Sequence, residues 1–156
     1  MVRVSSSLLV FALAAVLSPA AHAAETPPQR CMRAGTDDTL RPIPALLTPA
    51  AKRLFRLEAP DQVVRRTTVF RCMDGAVLLC NAGANLPCGK ANAGRRLASA
   101  GRYCREHPDA SDIPAYVTGH DTIYTWRCQG ANAVAGEPTE TLDGRGFMAR
   151  LWKAVE

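Results

Sequence analysis

The chain has 156 residues, 19 Lys and Arg against 14 Asp and Glu, and six cysteines. That length suits one modest core and is short for two domains. No two cysteines stand in a C-x-x-C spacing, which argues against a zinc site or covalent haem.

In chain order, Arg3 precedes the apolar run Ser7 to Leu17, and Ala21-His22-Ala23 follows it. A short charged start, an apolar stretch and an Ala-x-Ala site describe a secretory signal peptide over residues 1–23, too short to remain as a membrane span. Cys31 lies too far beyond the small residues for a lipid anchor, so no transmembrane segment is expected in the mature protein. The expected location is the periplasm or the secreted fraction. Without Arg3, 18 basic residues face 14 acidic ones. That mild excess favours acidic partners or anionic envelope polymers, and it is also what solubility alone selects. Nucleic acid is not an expected partner there. All six cysteines (Cys31, Cys72, Cys80, Cys88, Cys104 and Cys128) follow the signal, so three disulfides are the default, with fifteen pairings open.

Residues 24–47 hold four prolines and little periodicity, and read as an extended arm held by Cys31. The domain proper is expected over 48–156. Thr48 as N-cap and Pro49 at the first position predict a helix that Pro60 ends, with Ala50, Ala51, Leu54, Phe55 and Leu57 facing inward. From Val63 to Asn81, β-branched residues flank Asp74-Gly75, a two-residue hairpin turn. That register sets Cys72 opposite Val77 and turns Cys80 to the other face, so Cys72 and Cys80 should not be joined. Phe70 and Cys72 are then inward, Val69 and Arg71 outward.

The Gly- and Asn-rich stretch 81–94 reads as loop. A helix is expected from about Ala93 to Glu106, capped by Asn92 and stopped by Pro108. Leu97, Ala100, Gly101 and Cys104 form its inner stripe; Arg95, Arg96, Arg102 and Arg105 lie outside it. Cys88–Cys104 is the preferred single bridge, because it would tie the loop to the helix that follows. Along Thr122 to Cys128, alternation places Thr122, Tyr124, Trp126 and Cys128 on one face and Ile123, Thr125 and Arg127 on the other. A turn follows at Gln129 to Asn132. The end, 147–155, projects as a helix with Phe147, Met148, Leu151 and Trp152 on one side.

Candidate chemistry is sparse. His120 beside Asp121 offers a general base next to a carboxylate, but neighbours in sequence seldom form that pair, and Gly119-His120-Asp121 reads first as a turn. His107 is explained by its place in a helix's last turn. Asp37-Asp38, Asp109, Asp112, Glu137 and Glu140 show neither a glycosidase spacing nor a calcium loop, and no motif calls for a cofactor or a metal. The four arginines Arg95, Arg96, Arg102 and Arg105 are either the solvated side of a helix or a face for an acidic partner.

The segments CMDGAVLLCNAGANLPC (Cys72 to Cys88) and VTGHDTIYTWRC (Val117 to Cys128) together resemble a group of small exported bacterial proteins. That resemblance covers most of the chain after Ala23 and implies no activity or site. In general architecture the chain is also similar to periplasmic inhibitors of C-type lysozyme, although their Ser-Gly-rich inhibitory loop is not found here. The expected fold is therefore α+β, a small antiparallel β-sheet with two or three helices stapled by three disulfides. The expected function is a non-catalytic binding or inhibitor-like module of the cell envelope, for a protein or an anionic polymer. The alternative is a small hydrolase using His120 and Asp121.

Overall fold

The computed structural model describes residues 24–83 and 85–156; the expected signal segment lies outside them. At its centre is a hairpin of β2 (Thr68–Met73) and β3 (Ala76–Asn81). Its turn puts Asp74 at φ 52° and Gly75 at φ 81°, the left-handed pair that an Asp-Gly turn supplies at little steric cost. Cys72 lies opposite Val77, as the turn register requires. Strand β1 (Asp37–Pro42) pairs with β2, and β6 (Lys153–Ala154) pairs with β3, completing a four-stranded antiparallel sheet in the order β1-β2-β3-β6. A second, two-stranded sheet joins β4 (Tyr124–Gln129) to β5 (Asn132–Pro138).

Among the described residues five α-helices brace the two sheets, against the two or three expected. α1 (Pro27–Ala34) and β1 occupy the stretch expected as an extended arm. Two prolines open α1, and Gln29 Oε1 accepts the Thr26 backbone N–H at 3.0 Å. α2 (Thr48–Phe55) ends at Arg56 in the left-handed conformation; Thr48 belongs to the helix and its buried hydroxyl has no partner, so it does not serve as the cap. Lys153 Nζ donates to the Leu54 carbonyl at 2.8 Å, a cation on the negative end of that helix.

α3 (Asp61–Thr67) replaces the first part of the expected long strand. Asp61 in its first turn and Arg65 and Arg66 in its last match the helix dipole, which outweighs the β-branched residues. α4 (Ala98–Glu106) starts later than expected. Asn92 does not cap it: its backbone pairs with Asp121 and Ile123, and its side chain accepts the Gly94 N–H at 2.9 Å. α5 (Ala115–Thr118) is a single turn.

The expected C-terminal helix over 147–155 is absent. One 3-10 turn at Ala149–Leu151 leads into β6. Ala149 donates to the Thr141 carbonyl and Val155 to that of Val77, so long-range partners take the donors that a helix would use.

Three buried clusters divide the interior, and each holds one disulfide. On the first face of the large sheet, Phe70, Cys72, Val77 and Leu79 meet Cys31, Ala51 and Val64, and Cys31–Cys72 joins α1 to β2. On the second face, Cys80 and Cys88 are bonded among Phe147, Met148, Leu151 and Trp152. Between α4 and the small sheet, Cys104–Cys128 lies with Ala100, Ile113 and Trp126. The expected Cys88–Cys104 bridge is thus corrected: Cys104 on its helix stripe and Cys128 on its strand both point into the third cluster, and they bond each other. Cys72 and Cys80 are not joined, in keeping with their opposite faces.

The second face also corrects the placing of Arg71. It is 0% exposed, because the segment 139–152 covers the side of the sheet that alternation assigned to solvent. Its guanidinium pairs with the Asp143 carboxylate and lies 4.2 Å from the Phe147 ring centroid and 4.6 Å from that of Trp152. Asp143 Oδ1 accepts the backbone N–H groups of Arg145 at 2.9 Å and Phe147 at 3.1 Å, so one carboxylate holds both the buried cation and the turn that lies over it. Among the described residues Arg71 Nε and Trp152 Nε1 find no hydrogen-bond partner.

Asp38 on β1 ties the same turn from outside, bonded to Arg145 at 2.9 Å and to Lys90 at 2.8 Å. The Arg145 and then the Lys90 hydrogen bonds hold its pKa down at about 2; in Asp37 the Thr39 backbone N–H does the same, again to about 2. A carboxyl whose folded pKa is depressed stabilises the protein above its unfolded value near 3.8, and the contribution is lost as pH falls from there towards 2. Urea midpoints measured between pH 6 and 2 should therefore drop steeply below about pH 4. Asp38→Asn should lower the midpoint at pH 6 and flatten that acid limb, and an unchanged limb in the variant would remove Asp38 as its source.

Candidate functional site

The β4–β5 hairpin and the helices beside it form two surface grooves. The first, about 500 Å³, runs between the start of α4 and the hairpin tip. Arg95, Arg96 and Arg105 line it, over a floor that includes Leu97, Gly101 and Ala133. Because α4 begins only at Ala98, Arg95 and Arg96 belong to the loop before it, and Arg95 reaches across to the hairpin instead of standing on the helix's outer face. Arg95 donates to the carbonyls of Ala135 at 3.2 Å and Gly136 at 3.3 Å, and its guanidinium lies 4.6 Å from the Tyr124 ring centroid. Arg105 donates to the Gly101 carbonyl at 3.0 Å. Among the described residues none of the three has a carboxylate partner. Arg102, the fourth arginine of the sequence grouping, is exposed but does not line the groove.

The second groove, about 370 Å³, lies on the other side of Tyr124. His120, Thr118 and Thr122 border it from the α5–β4 connection, Asp112 from the loop before α5, and Glu140 and Arg150 from the C-terminal part. Glu140 and Arg150 hold each other in a two-pronged ion pair, with bonds of 2.6 to 2.8 Å. Trp126 is buried beneath and donates its Nε1–H to Thr122 Oγ1 at 2.9 Å.

His120 is exposed on the groove's edge, and no hydroxyl or carboxylate of another segment bonds its imidazole among the described residues. Asp121 does not orient it. Gly119 has φ 86°, and a Cβ on it would come 2.5 Å from Asp121 Oδ1, so the carboxylate is folded back over the turn. The Asp121 carbonyl accepts the Asn92 N–H at 2.7 Å, which ties the turn to the loop before α4. His107 ends α4 and stacks on Tyr103, ring centroids 4.3 Å apart. Among the described residues no group of three His, Cys, Asp or Glu side chains converges as a metal site would need.

The sequence grouped four arginines on one helix; Arg102 and Arg105 lie on α4, whereas Arg95 and Arg96 lie in the loop before it. Asp112 and Glu140 come to His120 from separate segments, with no local signal joining them.

The class that fold and site define is a disulfide-stapled α+β protein in which all six cysteines are bonded, the pattern of a chain that folds in an oxidising compartment outside the cytoplasm. No helix among the described residues is long and apolar enough to cross a membrane. No protein-family model matches the chain, and no curated protein or solved structure matches it.

Proposed function

We propose that this is an exported binding module, of the periplasm or secreted, that takes an anionic polymer or an acidic protein of the cell envelope in the arginine groove. The observation that carries this reading is the convergence of Arg95, Arg96 and Arg105 on one apolar floor without carboxylate partners. Two of the three guanidiniums are held in place by backbone carbonyls, so less freedom is lost when an anion binds. The apolar segment ahead of Ala23 and the fully bonded cysteines support export. The hydrolase alternative lacks the oriented base that its chemistry requires, since Asp121 turns away from His120.

The test is binding of a sulfated polysaccharide, heparin, to the oxidised protein at several salt concentrations. Affinity should fall as salt rises, and the double reversal Arg95→Glu/Arg105→Glu should weaken it about tenfold or more. Arg102→Glu, outside the groove, should bind nearly as the parent does. Equal binding by the parent and the double reversal would refute the reading.

A further inference from the structure

The second groove differs from the first in its charge and in the groups it presents. Its cation, Arg150, is neutralised by Glu140, and Asp112 adds a negative charge, so the groove does not select anions. What remains is a set of hydrogen-bonding groups at one surface: the exposed Asp112 carboxylate, the exposed His120 imidazole and the outer faces of the Glu140–Arg150 pair, with Thr122, whose Oγ1 accepts the Trp126 Nε1–H, in the wall. The half-buried ring of Tyr124 lies among them. The groove's size suits a small ligand.

We infer that this groove is a second binding site, for an uncharged polyhydroxylated ligand, a neutral saccharide segment. Vicinal hydroxyls donate and accept together, which matches a lining of carboxylates, hydroxyls and an arginine that is already charge-balanced. The apolar face of a sugar ring lies against tyrosine surface of the kind that Tyr124 offers. The site needs no contribution from Arg96 or Arg105, so it stands apart from the anionic reading of the first groove. It does share one wall with it, because the Tyr124 ring that lines the saccharide groove also carries the Arg95 guanidinium. A polymer with sugar rings and acidic substituents would find the two chemistries side by side.

The experiment is a titration of the oxidised protein with maltohexaose, cellohexaose and chitohexaose, followed by amide ¹H–¹⁵N shifts. At least one of these neutral oligomers should move the resonances of 112–122 and of Arg150 and leave those of Arg96 and Arg105 unmoved. Asp112→Ala/His120→Ala removes two exposed side chains and should fold as the parent; it should bind about tenfold more weakly, the loss expected for two hydrogen bonds. Arg96→Glu/Arg105→Glu should bind it as the parent does, which separates this inference from the heparin test. No shift with any of the three oligomers, or shifts confined to the arginine groove, would overturn the inference. So would unchanged affinity in the Asp112→Ala/His120→Ala protein.

Discussion

Asp143→Ala should destabilise the protein by about 3–5 kcal/mol, the cost of leaving a buried cation without its counter-charge. Arg71 is fully buried and Asp143 is only 12% exposed, so water cannot replace the lost carboxylate without opening the second face of the sheet. The same substitution frees the Arg145 and Phe147 N–H groups that shape the overlying turn. Two further variants separate these effects. Asp143→Asn keeps an oxygen that can accept both N–H groups and loses only the charge, so it should cost less. Arg71→Met/Asp143→Ala removes both charges and should regain most of the stability, because a buried ion pair is commonly no better than apolar residues of similar volume. Urea unfolding with the disulfides intact reports all three. If Asp143→Ala unfolds at the parent midpoint, the Arg71 pocket is not sealed as described.

Replacing Cys31 and Cys72 together by Ala should cost about 4 kcal/mol, the most of the three bridges. The bridge closes a separation of 41 residues, against 24 for Cys104–Cys128 and 8 for Cys80–Cys88. In the chain-entropy account the loss grows with the loop released, giving roughly 3.4 and 2.5 kcal/mol for the other two. Position reinforces length here, since Cys31–Cys72 is the covalent link between α1 and the central hairpin. Midpoints of the three paired Cys→Ala proteins should fall in that order. A Cys31/Cys72 variant as stable as the parent would show that packing alone holds α1.

Three small clusters with a bridge in each explain why these covalent links matter. No single cluster is large, and a chain this short buries a smaller share of its surface than a larger domain would. The disulfides restrict the unfolded chain where apolar burial is modest.

Features that depend on neighbouring residues were legible in the sequence. Asp74-Gly75 encodes its own backbone angles, so the hairpin, its register and the separation of Cys72 from Cys80 followed from local chemistry. The α2 pattern, the inner stripe of α4 and the alternation through Trp126 and Cys128 followed from periodicity. The count of three disulfides followed from six cysteines beyond the expected signal segment, and the α+β class from the mix of the two periodicities.

Tertiary structure decided what depends on the partner across the gap. Alternation says that Val69 and Arg71 share a face, but whether that face meets water depends on a covering segment some 70 residues on, a separation fixed only when the chain closes. The apolar spacing of Phe147, Met148, Leu151 and Trp152 suits a helix, yet it serves equally for a strap whose N–H groups bond to Thr141 and Val77. The pairing of Cys104 with Cys128, and the meeting of His120 with Asp112, Glu140 and Arg150, arise the same way. Local backbone preference determined the central hairpin and the apolar stripes of α2 and α4. The burial of their second faces, a property of two segments at once, determined the bridges, the buried arginine and both grooves.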